Sequence, residues 1–225
     1  MLLCGIFAWA PAAYPGYWQA LEGFVPVFNV TKSSAIAAVA TSADLWRGAG
    51  RATFLPAQPL LLLGLTPVTA VRGIWILAFV LGGLGMYVWL RPRWGDRGAG
   101  LAGLLYMLWP PFLATAYVRG SLSDGMILAL LPMALAGIAT FAETRSRSAA
   151  GVLVLSVLWM WRVQAGMAVA ATLLLLIYAL VVERAPLAAL AVGVSGAAGF
   201  SSLIPLWSIQ AAPPVAFSDH FVYVY

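Results

Sequence analysis

The chain has 225 residues, 63% of them hydrophobic and 8% charged, with a mean hydropathy of +0.96 and a formal net charge of +5. So apolar a composition excludes a soluble globular protein, and no polar stretch is long enough to bury a core of its own. Residues 1–225 therefore read as one all-α domain, a polytopic transmembrane helical bundle, in which the positive balance reports orientation rather than a nucleic-acid partner.

The first run, "MLLCGIFAWAPAA", is shorter than the roughly 20 residues that cross the hydrocarbon. It is a span with an incomplete start, a half-helix, or a signal-like segment that lacks the basic flank of a signal peptide; the first is favoured. Its Cys4 has no second cysteine to pair with. Residues 14–54 form the longest segment outside the hydrocarbon and hold Glu22, Lys32, Asp44, Arg47 and Arg51. Within it "SSAIAAVATSADLW" suits an interfacial helix anchored by Trp46, with Trp18 a second interfacial anchor. A short proline-bounded piece, "FLPAQPLLLLGLTP", follows. Further spans are expected at 68–90, 98–118, 122–142, 148–161, 163–182 and 186–207, seven with the first. The tail, 208–225, is aromatic and proline-rich, with Trp207 and Tyr223 placed to anchor it at the membrane surface.

Orientation follows from the short connections. Loops 91–97, 143–147 and 183–185 hold Arg91, Arg93, Arg97, Arg145, Arg147 and Arg184, which the positive-inside rule assigns to the cytoplasm. The N-terminus is then cytoplasmic and the C-terminus external, in a bacterial cytoplasmic membrane. Asp96, Glu143 and Glu183 in these turns are expected to pair with arginines. The "LGGLG" at 81–85, with Gly82 and Gly85, and the spaced Gly193, Gly196 and Gly199 let helix backbones approach closely.

Catalytic residue types are scarce. The sole histidine, His220, lies in the tail, and no His/Cys cluster has metal-ligand spacing. No expected span contains a histidine to ligate haem or chlorophyll, so no cofactor is expected. The remaining polar groups fall on the external side: Glu22, Asp44, Arg119, Asp124, Arg162, Asp219 and His220. Acids there can bind a cation or act as a base, and arginines can hold a lipid phosphate. The simpler role for Arg119 and Asp124 is snorkelling, with Asp124 favoured in the first helical turn by the dipole.

"YVRGSLSDGMILALLPMALAGIATF" resembles an element of large bacterial membrane proteins of the GT-C glycosyltransferase type, a group often described as related to pyruvoyl-tetrahydropterin synthase. "GYWQALEGFVPVF" is similar to its first-loop segment, "PAQPLLLLGLTPVTAV" to the stretch before its next span, and "IPLW…FSDHFVYVY" to its Leu-Pro and His-Phe elements. The resemblance implies sugar transfer from a polyprenyl-phosphate donor on the external face. Glu22 would then stand as base or metal ligand, and Asp124, Arg119 and His220 would line one cavity. Here Leu21-Glu22 replaces the family's His-Asp, and Arg162-Val163-Gln164 replaces a common His-Asn pair.

Two expectations of different kinds follow. The first is a non-catalytic accessory or structural subunit of a larger membrane complex, suited by ten tryptophans and eight tyrosines. A photosynthetic reaction centre with its light-harvesting ring is the first candidate, and its partners would be membrane lipids, other transmembrane subunits and carotenoid or quinone. The second is a glycosyltransferase, or part of one, with Glu22 and Asp124 as its acids and a polyprenyl lipid as partner. A small-solute transporter is disfavoured because the charges fall at span ends.

Overall fold

The structure, a computed structural model, describes residues 51–201 together with Leu3 and Ile6. All regular structure among them is helical. A 3-10 turn at Arg51–Phe54 and the short helix α1 (Ala57–Leu62) lead into the long helix α2 (Pro67–Met107). Thr66 caps α2 by accepting from the Thr69 amide, and Pro67 occupies the first helical position, where its missing N–H costs nothing. Then come α3 (Pro110–Ala114), α4 (Leu122–Thr144), α5 (Arg147–Val163), α6 (Ala165–Ile177) and α7 (Pro186–Ser201).

Helix α2 is two antiparallel arms. Gly95 adopts φ 68° and ψ 176°, which no helix accommodates and which an L side chain resists. A Cβ built on Gly83 would lie 2.6 Å from Met107 Sδ and 3.1 Å from the Gly103 carbonyl. Residues 20 to 24 apart along a straight helix would be separated by about 30 Å or more, so the chain doubles back at Gly95. The loop expected at 91–97 is thus a tight glycine turn.

The second arm departs from the expected single span at 98–118. It stops at Leu108, Trp109 turns extended (φ −61°, ψ 128°), and the chain restarts as α3 and a π-helical turn, Thr115–Arg119. Pro110 and Pro111 are the cause: neither has an N–H to donate, and the ring of Pro110 pushes Trp109 out of the α region. Three described stretches are long and apolar enough to cross a membrane: Thr69–Arg119, which contains the turn, Leu122–Thr144 and Ala165–Val182. The last runs through a second π-helical turn, Tyr178–Val182. At 17 and 16 residues, α5 and α7 fall somewhat short of the hydrocarbon thickness over their described lengths.

Helix α4 is the centre of the bundle and packs most extensively on α2 and α5, with α7 on the far side of α5. Its proline is accommodated by a neighbour. Pro132 cannot donate to the Leu128 carbonyl, and Tyr106 from the returning arm donates its hydroxyl to that oxygen at 2.7 Å. Gly85 lies flat on the same place, its Cβ position 2.7 Å from the Met133 nitrogen and 2.8 Å from the Pro132 carbonyl carbon. A Cβ on Gly82 would lie 3.1 Å from the Tyr106 and Phe112 rings. On α7, a Cβ on Gly199 would lie 2.5 Å from Trp161 and one on Gly196 3.0 Å from Thr172. Gly193, expected to share this packing, has nothing within 4 Å of its Cβ position among the described residues, so the close approach belongs to Gly196 and Gly199.

The outer faces stay apolar and exposed, as a lipid-facing surface requires: Leu173, Ile177, Leu180, Leu190 and Val194 are among them.

Candidate functional site

Polar side chains gather at the two ends of the bundle, and the ends differ in kind. At one end, turns 91–97 and 183–185 are tied by ion pairs. Arg93 pairs with Glu183, which also accepts from the Tyr178 hydroxyl, and the Trp89 indole donates to that hydroxyl at 2.7 Å. Arg91 pairs with Asp96 at 2.6 Å, and Tyr87 donates to the same carboxylate at 2.9 Å. The expected pairing of Asp96 and Glu183 is therefore present, whereas Glu143, expected to pair likewise, forms no ion pair among the described residues. With Arg93, Trp89, Tyr178 and Glu183 bonded to one another, this end acts as a clasp between the first arm of α2 and the end of α6.

The opposite end is built around the start of α4. The π-turn Thr115–Arg119 closes with Gly120 in the left-handed region (φ 65°), and the Ser121 amide donates back to the Thr115 carbonyl at 3.2 Å. Ser121 then starts α4, which puts Asp124 at its third residue, in the first turn, where the helix dipole favours a carboxylate. Arg119 Nη1 lies 2.6 Å from Asp124 Oδ2. The partners differ in exposure, Asp124 being 2% exposed and Arg119 56%. The contact is a charge pair without hydrogen-bond alignment, and Asp124 Oδ1 meets no donor among the described residues.

Because α4 and α5 run antiparallel, the end of α5 returns to this same end. It brings Arg162, whose pKa burial lowers from its ordinary value, and Gln164, where the backbone turns extended between α5 and α6. The segment 51–58 also packs here. Thr53 meets the Ser123 hydroxyl at 3.2 Å and the Ala52 carbonyl accepts from the Trp159 indole at 3.2 Å. Ala52, Thr53 and Ala57 are fully buried, so the end of the expected external loop is part of the core. Two more buried acceptors at this end, Gln58 Oε1 and Gln164 Oε1, find no donor among the described residues.

Arg119 and Asp124 are thus brought into contact as sequence reasoning anticipates, and Arg162 shares their end of the bundle. Glu22, His220, Trp18, Trp46, Trp207 and Tyr223 lie outside the described residues. Gln58 and Gln164 are the additions. Their signal is an amide isolated in an apolar run, in "PAQPLLLLG" and at the junction of two helices. No group of three or more His, Cys, Asp or Glu residues among the described ones is arranged to hold a metal.

The match to known families covers residues 59–208, from α1 through α7, and so includes the Arg119–Asp124 pair. The chain belongs to the 6-pyruvoyl-tetrahydropterin synthase related membrane protein family. No curated protein and no solved structure matches it. Membership of this family, with the apolar helices, makes it a membrane protein.

Proposed function

We propose that the chain is the membrane domain of a polyprenyl-phosphate-sugar-dependent glycosyltransferase, and that the Arg119 end receives the lipid's phosphate. The observation that carries this reading is the Arg119–Asp124 pair. A carboxylate almost wholly buried holds a guanidinium that remains more than half exposed. A guanidinium exposed at that end carries the planar donor fork with which arginine binds oxyanions. Arg162 adds a second positive charge at that end. The unmet acceptors Gln58 Oε1, Gln164 Oε1 and Asp124 Oδ1 give polar positions for the hydroxyls of a sugar. In this reading Asp124 positions Arg119, and the acid that does chemistry is Glu22, as the GT-C resemblance implies.

The test is binding of a short-chain polyprenyl-phosphate sugar to the purified protein in detergent. Saturable binding that Arg162→Gln weakens about tenfold, with Glu22→Gln abolishing transfer but not binding, is expected. Equal binding of the lipid to the double variant Arg119→Gln/Arg162→Gln, still folded, would refute it.

The accessory-subunit reading draws on the wide apolar flank of α6 and α7, where Leu173, Ile177, Leu180, Leu190 and Val194 are exposed. Lipid covers such a flank as readily as a protein does, so the polar end is the better guide. The reaction-centre and pigment associations rest on resemblance alone.

A further inference from the structure

A groove of about 290 Å³ runs down the outside of the bundle at the end opposite the Arg119–Asp124 pair. Leu84 and Val88 of α2 form one wall, Met133 and Gly137 of α4 its floor, and Val152 of α5 the other wall. Its lining is almost entirely apolar, and the volume lies near the lower bound of small-ligand pockets, enough for a segment of chain but not for a bulky ring system. From Met133 to Thr140 the groove extends about 10 Å along α4, which keeps it within one leaflet.

Its mouth differs from its floor. Thr140 and Ser148 are the polar residues of the lining, and they flank the turn that carries Arg145 and Arg147. Both arginines are exposed, and neither forms an ion pair among the described residues. Arg145 stands over the Phe141 ring at 5.6 Å, in a left-handed conformation (φ 53°) that ends α4. Glu143 is the acid of the same turn, leaving two guanidiniums against one carboxylate. Ser146 caps α5 through the Ala149 amide at 3.1 Å and contacts the Ser148 hydroxyl at 3.0 Å. The turn therefore sits at the positive end of the α5 dipole.

We propose that this groove is a binding site for one anionic phospholipid, with an acyl chain along the Leu84–Val152 cleft and the phosphate held by Arg145, Arg147 and the Ser148 hydroxyl. Charge complementarity selects the occupant. An apolar cleft that opens on paired guanidiniums and a hydroxyl at headgroup depth suits an anionic lipid, since basic groups near a membrane surface favour anionic headgroups. A zwitterionic lipid would fill the cleft equally well but would gain nothing from the net charge of the turn. The site is independent of the polyprenyl-phosphate reading and lies at the other end of the molecule.

The experiment is native mass spectrometry of the protein released from bilayers of equimolar phosphatidylglycerol and phosphatidylcholine. Wild type is expected to retain one phosphatidylglycerol in at least fivefold excess over phosphatidylcholine. Arg145→Asn/Arg147→Gln, in which asparagine suits the left-handed position, should retain lipid with that preference reduced to about twofold or less. Val152→Trp, a bulky side chain entering the cleft from its exposed wall, should lose the retained lipid. Retention by wild type without headgroup preference, or a preference unchanged in the double variant, would overturn the proposal. So would a Val152→Trp protein that is folded by circular dichroism and still retains phosphatidylglycerol.

Discussion

The asymmetry of the Arg119–Asp124 pair predicts that its two halves are unequal to mutation. Arg119→Ala leaves a carboxylate that is 2% exposed without its counter-ion. Removing one partner of a buried pair costs about 3–5 kcal/mol, because the remaining charge is neither solvated nor compensated. Asp124→Asn is the opposite case. The guanidinium left behind is 56% exposed and keeps its water, so the loss is that of a surface pair, at most about 1 kcal/mol, plus about 1 kcal/mol for seating an amide. The double variant Arg119→Ala/Asp124→Asn has no buried charge and should fall near Asp124→Asn alone, recovering about 2 kcal/mol of the Arg119→Ala loss. Reversible unfolding of the three variants by sodium dodecyl sulfate in mixed micelles, followed by tryptophan fluorescence, measures all three terms. An Asp124→Asn variant as damaged as Arg119→Ala, or simple addition of the two effects, would contradict this asymmetry.

Other positions give sharper contrasts. A Cβ on Gly125 would lie 2.4 Å from the fully buried Trp75 ring, so Gly125→Ala should destabilise by about 1–3 kcal/mol in the same titration, whereas Gly151→Ala, with nothing within 4 Å, should be neutral or slightly stabilising. Tyr106→Phe removes the donor that satisfies the Leu128 carbonyl opposite Pro132 and should cost about 1–3 kcal/mol; substituting Pro132→Ala as well should restore most of it, since residue 132 then supplies its own N–H. Gly199→Ala should weaken the docking of α7 against Trp161, read as faster amide hydrogen exchange in α7, and Gly193→Ala should leave that exchange unchanged.

What the sequence makes legible follows from which interactions are local. Hydropathy and the arginine-rich turns place the helices and the Arg91–Asp96 pair, since both depend on residues close together in the chain, whereas the Arg93–Glu183 pair joins positions 90 apart. Asp124 is readable because its benefit comes from the first turn of its own helix. The break before Pro110 is also written locally, in two adjacent prolines, but the apolar run around them masks it. Long-range fit is another matter. Nothing near Gly125 announces that Trp75 will lie against it, and nothing near Tyr106 shows that its hydroxyl completes a proline-broken turn in another helix. The glycine spacing at 193, 196 and 199 suggests three equal contacts, yet a helix presents successive glycines to different neighbours, and Gly193 falls on the open side. Gln58 and Gln164 gain meaning only once α1, α4 and α5 converge on one end.

The proposed role has this family member handling an isoprenoid phosphate at its Arg119 end. Purification of the tagged chain from its native membrane in gentle detergent, with mass spectrometry of every co-eluting lipid and protein, tests it most directly. A near-stoichiometric polyprenyl-phosphate or polyprenyl-phosphate sugar, displaced by added inorganic pyrophosphate, is the predicted result. Recovery in fixed proportion with the subunits of a larger complex, and with no isoprenoid lipid, would contradict it and make the chain a structural subunit instead.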